Sequence, residues 1–360
     1  MTRAAPIALL LLAACSRAPQ GTSHAESTPQ PSHRATATPA ADTAAAEPSD
    51  SRATPRPGAL KTFGDWTVGC DNGLVCTMAS LLPDDGFDAG ATLSLTRQPG
   101  PAGRFHADAG EGVTDAQPRR GALRFVVDGR DLGSDADAVT RAMANGHVLR
   151  LAGGTISLRG ASAALRYIDA MQGRAGTVTA TVATGARPAE AVPPAPALPV
   201  VEARALKPHT APLDARLLAA MRRIGQCDLP DGMDAAPDVA ATGDGRLLVV
   251  LPCSAGAYNV IGALFVAGEG KVAAAPVDAP SGFDETGADS QTPVHSVVNG
   301  GFDGNLLTSY AKGRGLGDCG SIQRFAWDGV RYRLVEQADM GECRGNTDYV
   351  TTWRARVTTR

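Results

Sequence analysis

Six cysteines spread over the part of the chain able to fold constrain it more than any other feature: Cys70, Cys76, Cys227, Cys253, Cys319 and Cys343. Six allow 15 pairings. The spacing favours neighbours, Cys70–Cys76, Cys227–Cys253 and Cys319–Cys343. The last two would close loops of about 25 residues, each worth on the order of 3 kcal/mol in the chain-entropy description. Zinc is the competing reading. It is the weaker one, because the sequence has no Cys-x-x-Cys pair and no histidine at ligand spacing. Disulfides persist in oxidising compartments, so the cysteine set points outside the cytoplasm.

The seventh cysteine supports that address. Arg3 precedes a short apolar run, Ala4 to Leu12, and then Ala13, Ala14 and Cys15. Leu12-Ala13-Ala14-Cys15 resembles a lipobox, the bacterial signal for cleavage before a cysteine that receives lipid. The run is far shorter than the ~20 residues a spanning helix needs, so residues 1–15 read as a targeting segment, excluded from the fold. A plain secretory signal with a chance cysteine is the alternative. In the lipoproteins this start resembles, Asp after the cysteine favours the inner membrane. Ser16 therefore points to the outer membrane, facing the periplasm.

Residues 16–58 contain no Val, Leu, Ile, Met, Phe, Tyr or Trp. Such a stretch cannot bury enough apolar surface to offset its ordering entropy, and it reads as a disordered tether. Residues 59–185 read as a first, β-rich domain. Thr62–Cys70 and Leu74–Met78 form a hairpin about Asp71-Asn72-Gly73, followed by strands at Ala91–Arg97 and Ala122–Val127. A helix opens at Ser134 as N-cap, with Val139 and Met143 on its inner face. His147–Leu158 reads as two strands about Gly153-Gly154. Ser162–Gln172 reads as a helix with Leu165, Ile168 and Met171 inward, and Thr177–Ala183 as a closing strand. Residues 186–212 hold seven prolines and read as a semi-rigid linker. In the second domain, 213–360, Leu213, Leu217, Met221 and Ile224 recur at helical spacing. Strand-turn-strand patterns follow, with turns at Asp244-Gly245 and Asp328-Gly329. The expected fold class is α+β, mostly antiparallel β, as two disulfide-stapled domains.

Net charge is −3 with both signs mixed, so no basic footprint for nucleic acid exists. Neither G-x-S-x-G nor H-E-x-x-H occurs. Gly313-Arg314-Gly315-Leu316-Gly317 lacks the dinucleotide spacing and sits beside Cys319, which makes it a disulfide-pinned loop. Gly268-Glu269-Gly270-Lys271 reads as a hairpin turn. Asp231–Asp234 and Asp284–Asp289 do not match a calcium loop. His106, His147 and His295 read as surface or capping residues. No catalytic residue, metal ligand or cofactor site is assigned. Two loop stretches, around Tyr258 and Asn259 and around Tyr310, Lys312 and Arg314, make a candidate ligand surface for an anionic or sugar-bearing envelope component. Loops that merely close a stapled fold are the alternative.

Several of these stretches together resemble one family. Lys61-Thr62-Phe63-Gly64-Asp65-Trp66-Thr67-Val68-Gly69-Cys70-Asp71-Asn72, with Cys76, resembles the opening of the bacterial domain-of-unknown-function 1176 family. It is also similar to invasion-associated locus B proteins. Leu251-Pro252-Cys253, Gly256-Ala257-Tyr258-Asn259, Gly317-Asp318-Cys319-Gly320, Trp327-Asp328-Gly329 and Cys343-Arg344-Gly345 resemble the family's second half. The resemblance implies an exported two-part protein without assigned catalysis. The expectation is therefore a membrane-anchored lipoprotein acting as a binding or envelope-maintenance module, touching the membrane through Cys15 and an envelope component or protein partner through its folded part. The alternatives are an envelope hydrolase with a site assembled between the domains, and a structural spacer between membrane and wall.

Overall fold

The first hairpin turns where the sequence predicts, but the expected strand Thr62–Cys70 is broken at Gly64-Asp65 into Lys61–Phe63 and Trp66–Cys70, which pair antiparallel with each other. Strands Trp66–Cys70 and Cys76–Ser80 pair antiparallel, with Cys70 opposite Cys76 and bonded to it. The computed structural model of the protein describes residues 54–82, 90–111, 123–230, 232–233, 236–279 and 294–360. The apolar run with Cys15, most of the 16–58 tether and the Asp284–Asp289 turn lie outside the described residues, as do Asp231 and Asp234. Among the described residues no helix is long and apolar enough to cross a membrane.

Around that hairpin a five-stranded antiparallel meander runs Lys61–Phe63, Trp66–Cys70, Cys76–Ser80, Ala91–Arg97, Phe105–Glu111. Alternation along Ala91–Arg97 puts Leu93 and Leu95 on one face, where they pack with Trp66, Val68 and Met78. Helices α1 (Ala136–Met143) and α2 (Ala161–Met171) cover that face through Val139, Met143, Leu165 and Ile168. Strands Val126–Val127, Arg130–Asp131, Val148–Leu151 and Gly154–Ser157 form a small four-stranded sheet beside them.

Three further local expectations change. Helix α1 is capped by Asp135, not Ser134: its carboxylate accepts from the N–H groups of Asp137 (2.9 Å) and Ala138 (3.2 Å). Helix α2 starts after Gly160, whose φ is +92°; a Cβ there would stand 1.8 Å from the Phe63 carbonyl oxygen. Its inner face runs Ala161, Ala164, Leu165, Ile168, Asp169, and Met171 falls off that row at 41% exposure. Thr177–Ala183 is not a strand, because its N–H groups turn inward onto Asp169.

Residues 186–212 hold a 3₁₀ turn, Ala189–Ala191, and two strands. Val200–Ala203 pairs in parallel with Arg356–Thr359, and Leu206–Pro208 is an edge of the next sheet. That sheet is six-stranded, with Leu247–Ala255 and Val260–Gly268 at its centre. The run Leu247-Leu248-Val249-Val250-Leu251 is apolar at every position because both faces are covered. Leu248 and Val250 pack against Phe325, Trp327, Tyr332 and Leu334 of a second five-stranded sheet. Val249, Leu251 and Phe265 pack against Met221 of helix α3 (Ala215–Gly225), capped by Asp214. Ile224, the last position of the expected apolar row, is 37% exposed. Cys227–Cys253 ties the end of α3 to the central strand. Glu269 and Gly270, both at positive φ, form the two-residue turn expected there.

The fold is thus mostly antiparallel β with three disulfides and three helices among the described residues. Its two halves meet through specific bonds. Gly58 N donates to Thr352 O (2.8 Å), and Asn346 Nδ2 donates to Ser80 O (2.7 Å). Leu82 N donates to Arg344 O (2.9 Å), and Arg344 Nε returns a bond to Leu82 O (2.8 Å).

Candidate functional site

The two loop stretches singled out from sequence do come together. Tyr258 and Asn259 lie between strands Leu247–Ala255 and Val260–Gly268; Tyr310, Lys312 and Arg314 lie on and just after strand Leu306–Lys312. Asn259 joins them: its Nδ2 donates to Lys312 O (2.9 Å) and its Oδ1 accepts from Lys312 N (3.2 Å) and Asn299 Nδ2 (2.8 Å). Tyr258 OH donates to Gly313 O (2.9 Å), and Tyr310 OH donates to Gly317 O (2.6 Å). Arg314 Nε donates to Asp318 Oδ1 (2.7 Å), and Gly345 N donates to Asp318 Oδ2 (2.7 Å). Burial pushes the Asp318 carboxyl up, but Arg314 and the Gly345 N–H outweigh it and hold it below its usual range. Cys319–Cys343 closes the loop. These polar groups hold the 313–320 loop shut. Tyr258 and Leu316 are exposed, and half-buried Lys312 holds its ammonium 5.4 Å from the Tyr310 ring centre.

A second site has no counterpart in the sequence motifs. A cleft of about 510 Å³ opens where Thr54–Arg56, the 196–201 segment and the second five-stranded sheet converge. Trp353, Leu334, Val201 and Pro199 give it apolar walls, and Asp278 and Arg333 give it charge. Arg333 Nε stands 2.7 Å from Asp278 Oδ2, and both side chains are at most 10% exposed. Leu334 N donates to the other Asp278 oxygen (2.8 Å). Burial pushes the Asp278 carboxyl up against the opposing pull of the Leu334 N–H and Arg333. Asn72 fixes one wall: its Nδ2 donates to Arg354 O (2.9 Å), its Oδ1 accepts from Arg354 N (2.8 Å), and Arg354 also pairs with Asp71. These residues lie far apart in sequence and carry no local signature; the only sequence hint was the Asp71-Asn72 turn.

The other buried acids are paired to arginines or amides. Asp65 accepts from Arg159 (Nη2, 2.6 Å) and Arg344 (Nη2, 2.7 Å). Burial pushes its carboxyl up, but the two guanidiniums outweigh that and hold it well below the usual range. Asp169, fully buried, takes Arg97 Nη1 at 3.0 Å. Burial and the neighbouring Arg174 push the Arg97 guanidinium down to about 10, against the pull of Asp169. His106 and His147 lie at the surface, each 3.4 Å from an aspartate. Among the described residues no three His, Cys, Asp or Glu side chains converge as metal ligands.

Fold and sites together define a disulfide-stapled, mostly antiparallel-β protein whose two halves interlock beside an amphipathic cleft. The sequence model described as "Protein of unknown function (DUF1176)" matches residues 60–360, and the chain belongs to that family. It is 31% identical over 338 residues to the "Uncharacterized protein YpfG" of Escherichia coli (strain K12), covering 83% of this chain and 93% of that protein. No solved structure matches.

Proposed function

We propose that the chain is an exported lipoprotein, anchored at Cys15 in the outer membrane, that works as a binding or envelope-maintenance module. The observation that carries this is the disulfide set: all six cysteines after Cys15 are cross-linked, which suits an oxidising compartment. Leu12–Cys15 supplies the anchor and the apolar-free stretch after it the reach. Residues 59–185 and 213–360 are read as the two domains joined by 186–212, a reading supported by a core around Trp66 and α2 in the first and by cores on both faces of the six-stranded sheet in the second. The likeness of the opening to invasion-associated locus B proteins concerns residues 61–76 and adds no activity.

Binding is favoured over hydrolysis by the state of the acids. A hydrolase of the kind considered needs a carboxylate pair or a histidine on Ser or Asp in a cleft. The acid described in the cleft is Asp278, and it is tied to Arg333. A spacer role would leave the folded part without a specific partner. Fractionation tests the anchor. The wild-type chain is expected in the membrane pellet after detergent-free washing and Cys15→Ser in the supernatant; Cys15→Ser retained in the pellet contradicts the anchor. Crosslinking in intact cells tests the binding role, with a discrete partner expected and none expected of a spacer.

A further inference from the structure

Arg333 is a buried cation on the wall of the cleft. It is 8% exposed, and its Nε lies 2.7 Å from Asp278 Oδ2 in an ion pair whose angle falls outside hydrogen-bond geometry. Its Nη1 stands 3.7 Å from Asp328 Oδ2, beyond hydrogen-bond reach, and Asp328 Oδ1 is already taken by the N–H groups of Val330 and Arg331 at 2.8 Å. No described residue accepts a hydrogen bond from either terminal nitrogen of Arg333. The guanidinium thus carries more donors than the described acceptors take up, and an anionic ligand would meet them. Arg333 borders the cleft, and Trp353 lines the same cavity. The Trp353 indole N–H is occupied by Leu334 O at 3.2 Å, so the ring contributes an apolar surface. Asp278 has both oxygens engaged. Exposed Arg56 adds a second positive charge at the rim, so the charged lining is two arginines against one aspartate. The cavity has the size and the mostly apolar, sparsely polar lining of a small-molecule site.

We propose that this cleft binds a small amphipathic carboxylate, its apolar body against Trp353 and Leu334 and its carboxylate on the free edge of the Arg333 guanidinium. Guanidinium and carboxylate match as planar, two-point partners, and such charge-assisted bonds are the strong ones. The same chemistry comes from two sources, a fatty acyl carboxylate or an apolar amino-acid or peptide terminus. The assignment rests on the binding-module reading above. It is tested in solution, so it can fail while the membrane address stands, and the reverse.

Tryptophan fluorescence is the readout. Trp66 and Trp327 are fully buried and Trp353 is partly open, so a change induced by ligand reports on the cleft. The full chain carrying Cys15→Ser, which removes the competing lipid, is titrated with octanoate, with N-acetylphenylalanine and with uncharged 1-octanol. A saturable change with at least one carboxylate is expected, with 1-octanol at least tenfold weaker. The tighter of the two carboxylates separates the acyl from the peptide source. Replacing both members of the ion pair, Asp278→Asn with Arg333→Met, is expected to weaken carboxylate binding at least tenfold. Ala197→Trp, on a strand-free rim segment, fills the cleft and abolishes binding even if the double variant fails to fold. No saturable change with either carboxylate, equal binding of 1-octanol, or unaltered binding by Ala197→Trp overturns the assignment.

Discussion

Asp169 organises the end of the first half. Its carboxylate accepts from Arg97, from the N–H groups of Thr181 and Val182 at 2.9 Å, and from Ala183 at 3.3 Å. Beside it Arg174, also fully buried, donates to Gln172 Oε1 (2.8 Å) and Gly100 O (2.5 Å). Asp169→Asn keeps the shape but removes the charge and points two donors at donors. It is expected to cost about 3–5 kcal/mol in urea unfolding, the usual consequence of breaking a buried pair. Asp65 gives a pH prediction. Its folded pKa is depressed, so its contribution is complete above the ordinary carboxyl value near 3.9 and is lost as pH falls below it. Arg344→Ala is expected to cost about 2 kcal/mol at neutral pH and to flatten the acid limb of a stability–pH curve. None of this was legible in sequence. Asp169 sits on a helix row that reads as apolar, and its partners come from residues 97 and 181–183.

At the scale of elements, helix α3 and the central strand Leu247–Ala255 are joined by Cys227–Cys253, 26 residues apart. Replacing both cysteines by Ala is expected to lower stability by about 3 kcal/mol, read as a drop in denaturation midpoint with folded secondary structure retained. The 313–320 loop depends on Gly317, at φ +69° with Tyr310 OH 2.5 Å from where a Cβ would sit. Gly317→Ala is expected to break the Tyr310–Gly317 bond and cost about 1–3 kcal/mol. Pairing, hairpins and most strands were legible because turn chemistry and two-residue alternation are local. The prolines of 186–212 concealed two strands. Pro208 ends the edge strand Leu206–Pro208, where a missing N–H is tolerated. Thr177–Ala183 misled in the other direction: its alternation mimics a strand, while Asp169 collects its N–H groups.

At the scale of the whole molecule, the bonds between halves decide what a ligand meets. Arg344 and Arg354 reach back to Asp65, Asp71 and Asn72, roughly 280 residues earlier, as the hydrogen-bond separations of 279, 283 and 282 record. The cleft lies against that join, assembled from residues 54–56, 72, 196–201, 278, 333–334 and 353–355. No window of sequence contains enough of it to be seen, whereas Tyr258-Asn259 and Tyr310–Arg314 each fall within a few neighbouring residues. We propose that this fold is carried outside the cytoplasm on a lipid at Cys15. Intact-mass analysis of the chain purified from cells, alkylated without reduction, tests it most directly. The expected result is an amino terminus at Cys15 carrying added acyl mass, with six other cysteines refractory to alkylation. An amino terminus at Met1, or six alkylated thiols, would contradict it.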